Sequence, residues 1–519
     1  MIRICNLFSF VIALTVVQQM KSQELHVYNG GSLYISPKSA VYVNNNLIVD
    51  AAGDLSISSN ATNSGSLLVS GIATGDISYQ KYIPDANWHL VSAPVTTQSI
   101  NAFATNAANA IRLSVSNKYG VSKYNNTKAA GERWEYYTST AGPLAAADAG
   151  NFVTGKGYSN LRSEAGHYIF KGAMASSDVL VDITGQTGHK WSVVGNPYPS
   201  FLPLNNGANN TNNILKQNIS KLGAEFAALY FWDGTAYLPF NHSADAFSLI
   251  PGQAFVVRAV DNSNLNFTFP KNLQTEQVGI KLNLLKTGGT PQIIISLHSD
   301  KVTKKTNLKY FSNTTAGLDV GYDAGTYEDA TPTLAIDTHL VADSKGINFA
   351  VQCLSNDDYE TDIVPMSIKA STNKDLTFSA EVINLPDGVK VFLEDKEAQI
   401  FTDITTASYK VTTKDALNGI GRFYLHTSKK SVLSAENLGV VTTVNMYKTS
   451  NTNLRVSGLQ QNGSAVVKMH TILGKEVLSS NFKMQTVNDI ALPKNLAAGV
   501  YVIQLIANGA IQTKKIIID

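Results

Sequence analysis

The sequence predicts an all-β protein, in which a short N-terminal β-solenoid-like segment is followed by β-sandwich domains and a C-terminal immunoglobulin-like sandwich. β-branched residues alternate with polar ones in short runs, which is the period-two pattern of half-buried strands. Gly, Asn, Ser and Thr are abundant around these runs, as in turn-rich β-proteins. A helical spacing of apolar residues is found over residues 214–226 alone. The 519 residues suffice for several domains.

Residues 1–22 are predicted to be a secretory signal peptide. Arg3 supplies the short basic start and residues 7–17 form the apolar run. The small Ser22 precedes Gln23, and we place the cleavage before Gln23. The apolar run is too short for a helix that spans a membrane.

The amino-acid composition gives no support for two classes of binding partner, nucleic acids and anionic membranes. Charged residues make up 15% of the chain and the formal net charge is +2, so there is no electrostatic case for binding nucleic acid or an anionic membrane. Cys5 would leave with the signal peptide, and the mature chain would keep only Cys353 and form no intramolecular disulfide. We interpret Cys353 as a buried small apolar residue rather than a reactive thiol.

Residues 23–80 are predicted to form the β-solenoid-like segment. Short strands recur there roughly every 8–12 residues with Asn and Gly at the corners, a spacing typical of stacked repeats. A plain meander of strands is the alternative. In both cases one repeat cannot bury its own apolar face, so the segment must stack on the domain that follows.

Residues 81–275 and 276–432 are predicted to be two β-sandwich domains, with a linker at 433–439. The first contains the motifs "WHLVSAP", "GKGY", "VGNPYPS" and "IPGQAFVV", and it holds the one predicted helix. The second opens with strands predicted at 279–284 and 292–297, whose apolar residues are mostly β-branched or Leu.

Acidic residues gather in two loop-rich stretches of the second sandwich. Calcium takes several carboxylate and carbonyl oxygens from a flexible loop, but neither stretch has the regular Asp-x-Asp-x-Asp-Gly spacing. We therefore favour solvated acidic turns, with structural calcium as the alternative, and predict no other cofactor. The residues are Asp319, Asp323, Glu328 and Asp329 in the first stretch and Asp357, Asp358, Glu360 and Asp362 in the second.

No catalytic constellation is evident, and we predict that the protein is not an enzyme. The chain lacks the zinc-protease, nucleophile-elbow, phosphate-loop and dinucleotide glycine motifs, and its nine histidines include no pair at i, i+4. Aromatic side chains form two local clusters, which we interpret as core residues, with a sugar-binding surface as the alternative. The clusters are Trp134, Tyr136 and Tyr137, and Tyr230, Trp232 and Tyr237.

Residues 440–519 read as short period-two strands joined by turns, including a hairpin signal at 508–509. Their motifs "ILGKEV", "LAAGVYVIQL" and "KKIIID" resemble the type A sorting domain of the type IX secretion system, which is found in gliding and other Bacteroidetes-type bacteria. The motifs of residues 81–275 are similar to a module recurrent in large secreted proteins of the same bacteria, whose function is generally not assigned. "DVGYDAGTYED", "VFLEDKEAQIFTDI" and "RFYLHT" resemble the sandwich that precedes such sorting domains.

The resemblance implies a protein that is secreted or displayed on the cell surface, outside the outer membrane. It implies as partners the outer-membrane type IX translocon and its sorting and attachment machinery. In this family the sorting domain is commonly cleaved after export and the body is attached to a surface glycolipid. The residues expected to be recognised are Gly474, Lys475, Gly499, Val500, Tyr501, Lys514, Lys515 and Ile516.

For the body, the sequence favours an adhesin or surface-interaction protein, with surface polysaccharide as a candidate ligand. This expectation rests on the β-architecture, the low charge and the resemblance rather than on an identified site. Two alternatives stay open: a component of the outer-membrane secretion or gliding machinery, and a polysaccharide-degrading enzyme.

Overall fold

The computed structural model describes residues 2–3, 19–185, 189–260, 264–277, 289–327, 332–357, 359–360, 362–429, 444–459, 463–507 and 510–518. It is 51% strand and 6% helix, which confirms the predicted all-β class. Most of the predicted signal peptide, the strand predicted at 279–284 and the predicted linker at 433–439 lie outside the described residues. The chain divides into two compact units, residues 1–288 and 289–519, which we describe separately. The predicted domain boundaries stay predictions.

The first unit begins with three parallel ladders of short strands. β1, β3, β6 and β9 form the first ladder. β2, β5 and β8 form the second ladder, and β4, β7 and β10 form the third. The register places Leu25 beside Leu47 and Leu33 beside Leu55, so like residues stack in a buried core. Whether residues 23–80 form a solenoid module stays a prediction. The strands are β1 (Ile2–Arg3), β2 (Gln19–Ser22), β3 (Leu25–Val27), β4 (Ser32–Ile35), β5 (Ala40–Val43), β6 (Leu47–Val49), β7 (Asp54–Ser58), β8 (Ser66–Val69), β9 (Ala73–Thr74) and β10 (Ile77–Ile83).

The rest of the first unit is antiparallel. Its strands are β11 (Trp88–Val91), β12 (Lys118–Tyr124), β13 (Trp134–Thr138), β14 (Tyr158–Leu161), β15 (Gly166–Gly172), β16 (Val179–Asp182), β17 (Trp191–Gly195), β18 (Leu202–Pro203), β19 (Leu229–Trp232), β20 (Tyr237–Phe240), β21 (Ser248–Leu249), β22 (Ala254–Arg258) and β23 (Asn266–Phe269). The sheets run β11-β14-β12-β13, β17-β22-β19-β20, β16-β23 and β18-β21. β10 also pairs with β15, so one hydrophobic core continues from the parallel ladders to Met174, and a second core spans Val181 to Leu273.

Helices are short and sit beside the sheets. The predicted helix is confirmed as α2 (Ile214–Asn218), where the side chain of Asn213 accepts a hydrogen bond from the Lys216 amide. Single 3₁₀ turns follow at Ile219–Lys221 and Ala224–Phe226. The sequence analysis missed α1 (Ile100–Thr105), which is too short to show a helical period. Further 3₁₀ turns lie at Ala107–Asn109, Ala146–Asp148 and Lys271–Leu273.

The four motifs of residues 81–275 meet at one junction in the first unit. The Ser92 amide donates to the Gly252 carbonyl at 2.9 Å, and the Gly195 amide donates to the Gly155 carbonyl at 2.8 Å. A Cβ atom at Gly195 would lie 2.6 Å from the Ser92 Cβ and 2.8 Å from the Gln253 carbonyl oxygen. The glycine therefore permits close packing of two strands. Packing therefore explains the glycine of the "VGNPYPS" motif.

The second unit begins with a large sheet. We call this sheet and its loops (residues 289–429) the body. The sheet has 11 strands in the order β32-β31-β34-β29-β27-β28-β25-β24-β30-β33, with β26 paired to β28. Cys353 is fully buried on β28, as predicted. The strands are β24 (Gln292–Ser299), β25 (Val302–Phe311), β26 (Ala324–Gly325), β27 (Ala335–Thr338), β28 (Phe349–Ser355), β29 (Ile363–Ala370), β30 (Asp375–Ile383), β31 (Lys390–Asp395), β32 (Ile400–Asp403), β33 (Tyr409–Thr412) and β34 (Leu417–Ser428).

The C-terminal domain is a two-sheet sandwich. β35-β36-β39 form one sheet and β38-β37-β40-β41 form the other, with a core of alternate inward residues from both. β40 pairs with β41 along its length, and the last pair is Ala507 and Ala510. The predicted hairpin turn at 508–509 lies between these two residues and outside the described residues. The strands are β35 (Asn445–Ser450), β36 (Asn453–Ser457), β37 (Ser464–Thr471), β38 (Glu476–Lys483), β39 (Val487–Ala491), β40 (Gly499–Ala507) and β41 (Ala510–Ile518).

The sheet β35-β36-β39 packs its outer face on the body. Tyr447, Arg455 and Asp489 lie opposite one another on that face, yet Tyr447 is only 5% exposed. The Tyr447 ring lies against Gly346, where a Cβ atom would come within 2.4 Å of the ring. Arg455 pairs with Asp489 at 2.7 Å and also donates to the Asn418 carbonyl at 2.8 Å. We call β35-β36-β39 the body-facing sheet and β38-β37-β40-β41 the outward sheet.

The contact at Gly346 predicts a specific weakening of this interface by Gly346→Ala. Gly346 has φ +80°, so alanine there costs roughly 1 kcal/mol in backbone strain. Displacement of Tyr447 should add about 1–3 kcal/mol. Amide hydrogen exchange of residues 445–450 should therefore become faster in the variant.

Gly388→Ala is the matched control for this experiment. Gly388 has φ +82°, but a Cβ atom added there would meet no other atom within 4 Å, so the substitution carries the strain without the collision. Equal exchange rates of residues 445–450 in both variants would contradict the described packing.

Candidate functional site

The three motif segments of the C-terminal sandwich meet at one end of the outward sheet. Thr471 of β37 lies opposite Tyr501 of β40, and Tyr501 lies opposite Ile516 of β41. The "ILGKEV" turn, which joins β37 to β38, therefore lies at the same end as the "GVY" and "KKIII" segments. Tertiary structure thus brings together residues that are up to about 45 positions apart in the sequence.

Gly474 and Lys475 lie in the exposed turn between β37 and β38. Gly474 has φ +83° and donates its amide to the Thr471 carbonyl at 2.9 Å. The Lys475 amide donates to the Thr471 hydroxyl at 3.2 Å, and the Lys475 carbonyl accepts from the Thr471 amide at 2.9 Å. The backbone is therefore fixed by hydrogen bonds while the lysine side chain is exposed.

Tyr501 and Ile516 point into the core. They are 6% and 7% exposed, and the Tyr501 hydroxyl donates to the Ala497 carbonyl at 2.8 Å. The hydrogen bond satisfies the buried hydroxyl and fixes the turn before β40. Both residues hold the domain together and offer little surface to a partner.

Val500 and Lys515 lie on the outer face of the outward sheet. Gly499 begins β40 with φ +154° and lies opposite Ile518, and the next pair along the ladder is Val500 and Ile517. Because opposite residues share a face, Val500 and the 58% exposed Ile517 form a small apolar strip with the exposed Lys515 beside it.

Lys514 has a different environment from Lys515. Its ammonium donates to the Ser344 carbonyl of the body at 3.0 Å, and burial lowers its pKa. The predicted recognition set is therefore divided among the exposed end, the core and the body contact. Ile472 and Leu473, which are 71% and 91% exposed, were not among the predicted recognition residues. The sequence signal that could have identified them is the presence of large apolar side chains within these motifs.

The first acidic stretch contains a buried carboxylate. The Asp323 oxygens accept hydrogen bonds from the amides of Asp319 and Cys353, both at 2.7 Å. The Asp319 carboxylate accepts from the Thr315 amide, also at 2.7 Å. Burial, with the nearby Asp319 charge, raises the pKa of Asp323 to about 7.

Asp319 and Asp323 act as local caps, since their carboxylates accept hydrogen bonds from backbone amides. Within the part of the chain that the structure describes, no group of three His, Cys, Asp or Glu side chains could hold a metal ion. Asp319 and Asp323 contact each other, whereas Glu328, Asp329 and Asp358 lie outside the described residues. The Asp357 amide donates to the Ser355 hydroxyl at 3.1 Å. The alternative of structural calcium stays untested.

The two aromatic clusters are partly core and partly surface. Tyr137 and Tyr230 are 5% and 0% exposed, so their interpretation as core residues is confirmed. Trp134 and Tyr136 alternate with Tyr137 on β13 and lie half-buried on the other face. The Tyr136 ring is 5.6 Å from Trp88.

A cleft within the first unit opens on the other side of this sheet from Trp134 and Tyr136, because Lys123 and Tyr137 line it. It has a volume of about 300 Å³ and is lined by Lys123, Tyr124, Asn126, Lys156 and Asp182, among others. The Tyr124 ring is 5.0 Å from Trp134. The cleft combines an aromatic wall with amide, ammonium and carboxylate groups, a combination suited to a polar ligand.

Asp323 should make the stability of the protein depend on pH. Its folded pKa of about 7 exceeds the ordinary 3.8, so the folded state holds the proton more tightly than the unfolded chain. The stabilisation is complete below pH 3.8 and is lost as the pH rises through about 7. The contribution of Asp323 to the free energy of unfolding should fall over this window by up to about 4 kcal/mol. Burial lowers the pKa of His189, His242 and His339 to about 4, so their contributions rise over the same window.

Urea denaturation from pH 4 to 7.5 measures this slope. Asp323→Asn keeps an acceptor oxygen but cannot titrate, so the parent curve minus the curve of this variant isolates Asp323 and should fall over the window. Asp387→Asn, on an exposed turn, is the control and should leave the curve as in the parent. A difference curve that stays level or rises would contradict the assignment.

Comparison with known proteins supplies the family. A model described as a domain of unknown function (DUF8693) matches residues 4–426, more than half of the chain. The model of the secretion system C-terminal sorting domain matches residues 445–519. Neither a curated protein nor a solved structure matches the chain. No helix among the described residues is long and apolar enough to cross a membrane. The chain belongs to the DUF8693 family and is a cargo protein of the type IX secretion system with a C-terminal sorting domain.

Proposed function

We propose that the exported chain is a non-enzymatic cell-surface protein that binds polysaccharide through its first unit. The observation that carries the proposal is the half-buried aromatic surface of Trp88, Trp134 and Tyr136. The C-terminal domain supports export from the cell and surface attachment. A binding role needs a displayed surface but no catalytic constellation.

The exposed parts of these aromatic rings support the proposal. The apolar face of a pyranose packs on an aromatic ring, and polar groups at its rim bind the hydroxyls. Trp88 and Tyr136 pack edge to face at an interplanar angle of 64°, which fixes both rings in place. Lys118 lies over the Tyr136 ring at 5.8 Å and brings a positive charge to the rim.

The cleft supplies groups that can donate and accept hydrogen bonds, and Tyr124, which lines it, also contacts Trp134. The Tyr124 hydroxyl is bonded to the His189 ring at 2.7 Å. Burial, followed by the charges of Arg133 and Arg258, lowers the pKa of His189 to about 4. His189 is therefore neutral at physiological pH and positions the Tyr124 ring without adding charge.

Export should depend on the C-terminal sandwich. A chain that lacks residues 445–519 should remain in the periplasm, because the matched sorting domain is absent. Cell fractionation with surface protease treatment measures the location. A reporter that carries residues 430–519 at its C-terminus is the complementary test and should reach the outside. Export of the truncated chain at the parent level would contradict the sorting role.

Binding of glycans should depend on the aromatic surface. The purified full chain should bind a subset of a bacterial and plant glycan array, and Trp134→Ala or Tyr136→Ala should weaken binding at least about tenfold, as expected for loss of one stacked ring. Tyr34→Ala, which removes a half-buried ring on β4 outside both aromatic clusters, is the control. Parallel arrays with calcium and with a chelator test the acidic stretches. No binding, or equal binding by all variants, would contradict the proposal.

A further inference from the structure

The two outer faces of the sorting sandwich differ in what covers them. The body-facing sheet has Tyr447 and Arg455 packed on body residues, and Gly421 of β34 leaves no room for a Cβ beside Val487. Ser457 on the same face is fully buried. A partner that meets the folded chain therefore cannot reach this face.

The outer face of the outward sheet remains exposed. Its apolar residues run across β40 and β41, with Val500 beside Ile517 and Val502 beside Lys515. Ile511, farther along β41 on the same face, is 66% exposed. Isolated exposed apolar residues are ordinary, but a strip of β-branched residues on one sheet face is a surface suited to a partner.

The charge on this face has one predominant sign. Lys468, Lys483 and Lys515 lie on it, and Glu476 supplies one negative charge 3.3 Å from the Lys468 ammonium. Two copies of the chain would bring these lysines together, which disfavours self-association through this face. A partner with an apolar patch and acidic side chains at its rim would match both the strip and the lysines.

We propose that a protein of the type IX secretion machinery binds the sorting domain on the outer face of the outward sheet, through an apolar surface with an acidic rim. This inference rests on the sorting role stated above and adds the face that is used. The family model matches the sorting domain as a whole, over residues 445–519. The body already covers one of the two outer faces of this domain. Lys515, Val500 and the exposed end of the sheet make the contact.

Lys514 has a separate role in this arrangement. Its side chain lies on the inner side of β41 and binds the Ser344 carbonyl of the body. Adjacent residues of a strand point to opposite sides, so Lys514 and Lys515 cannot serve the same partner. Lys514 therefore positions the sorting domain on the body, while Lys515 faces the machinery.

Charge changes on the outer face test the proposal in cells that carry the full chain. Ile517→Asp and, separately, Lys515→Glu should lower the exported fraction at least about tenfold, with the protein retained in the periplasm. Ile400→Asp is the matched control, because Ile400 is also an exposed isoleucine on a strand, at 45% exposure, but lies in the body. Arg455→Ala, on the covered face, should be exported like the parent.

Folding and export are measured separately in these variants. Each variant is purified and its hydrogen exchange in residues 464–507 is compared with that of the parent, so that retention of a folded variant can be scored. If both folded outer-face variants are exported at the parent level while the chain lacking residues 445–519 is retained, the face assignment is overturned and the sorting role stands. If the truncated chain is also exported, the sorting role itself fails.

A lipid surface is the competing occupant, since the face is apolar and positively charged. Co-sedimentation of the full chain with vesicles of phosphatidylglycerol and phosphatidylcholine separates the two. We expect that the chain does not bind these vesicles through the outer face. Lys515→Glu should therefore leave the amount of protein that sediments with the vesicles unchanged. Binding of the parent to the anionic vesicles, lost in Lys515→Glu, would overturn the assignment to a protein partner.

Discussion

A strand exposes alternate side chains on opposite sides, so every sheet in this protein must find a cover for its apolar face. The parallel ladders at the N-terminal end stack their leucines on one another, and the core continues into the antiparallel strands through β10. The C-terminal sandwich covers its inner faces with its own two sheets. The body covers the outer face of the body-facing sheet. The two outer faces of the sandwich therefore differ, because the face of the outward sheet stays exposed.

Glycine permits close contacts between these packed segments. Gly195 allows two motif segments to approach within van der Waals distance in the first unit, and Gly346 leaves room for the Tyr447 ring in the second. In both cases a methyl group would overlap atoms of the facing segment. The recurrent motifs around Gly195 are thus explained as conditions for close packing.

The functional surfaces lie where this packing leaves side chains exposed. In the first unit, β13 buries Tyr137 and leaves Trp134 and Tyr136 half-buried on the other face. In the sorting sandwich, β41 buries Ile516 and exposes Lys515 and Ile517. The same alternation that builds the core therefore also presents a surface for binding, and the proposals for saccharide and for the secretion machinery both depend on it.

The sequence by itself determined the β class, the position of α2 and the sorting domain, because these depend on patterns within short segments: the period of apolar residues, the turn residues and the terminal motifs. The tertiary structure alone decided which members of the predicted recognition set are exposed. Tyr501 and Ile516 are core residues, and Lys514 binds the body, although all three belong to the same motifs as Val500 and Lys515. The physical reason is that burial of a side chain depends on residues far away in the chain, such as Ser344 and Gly346, whose proximity no local pattern encodes.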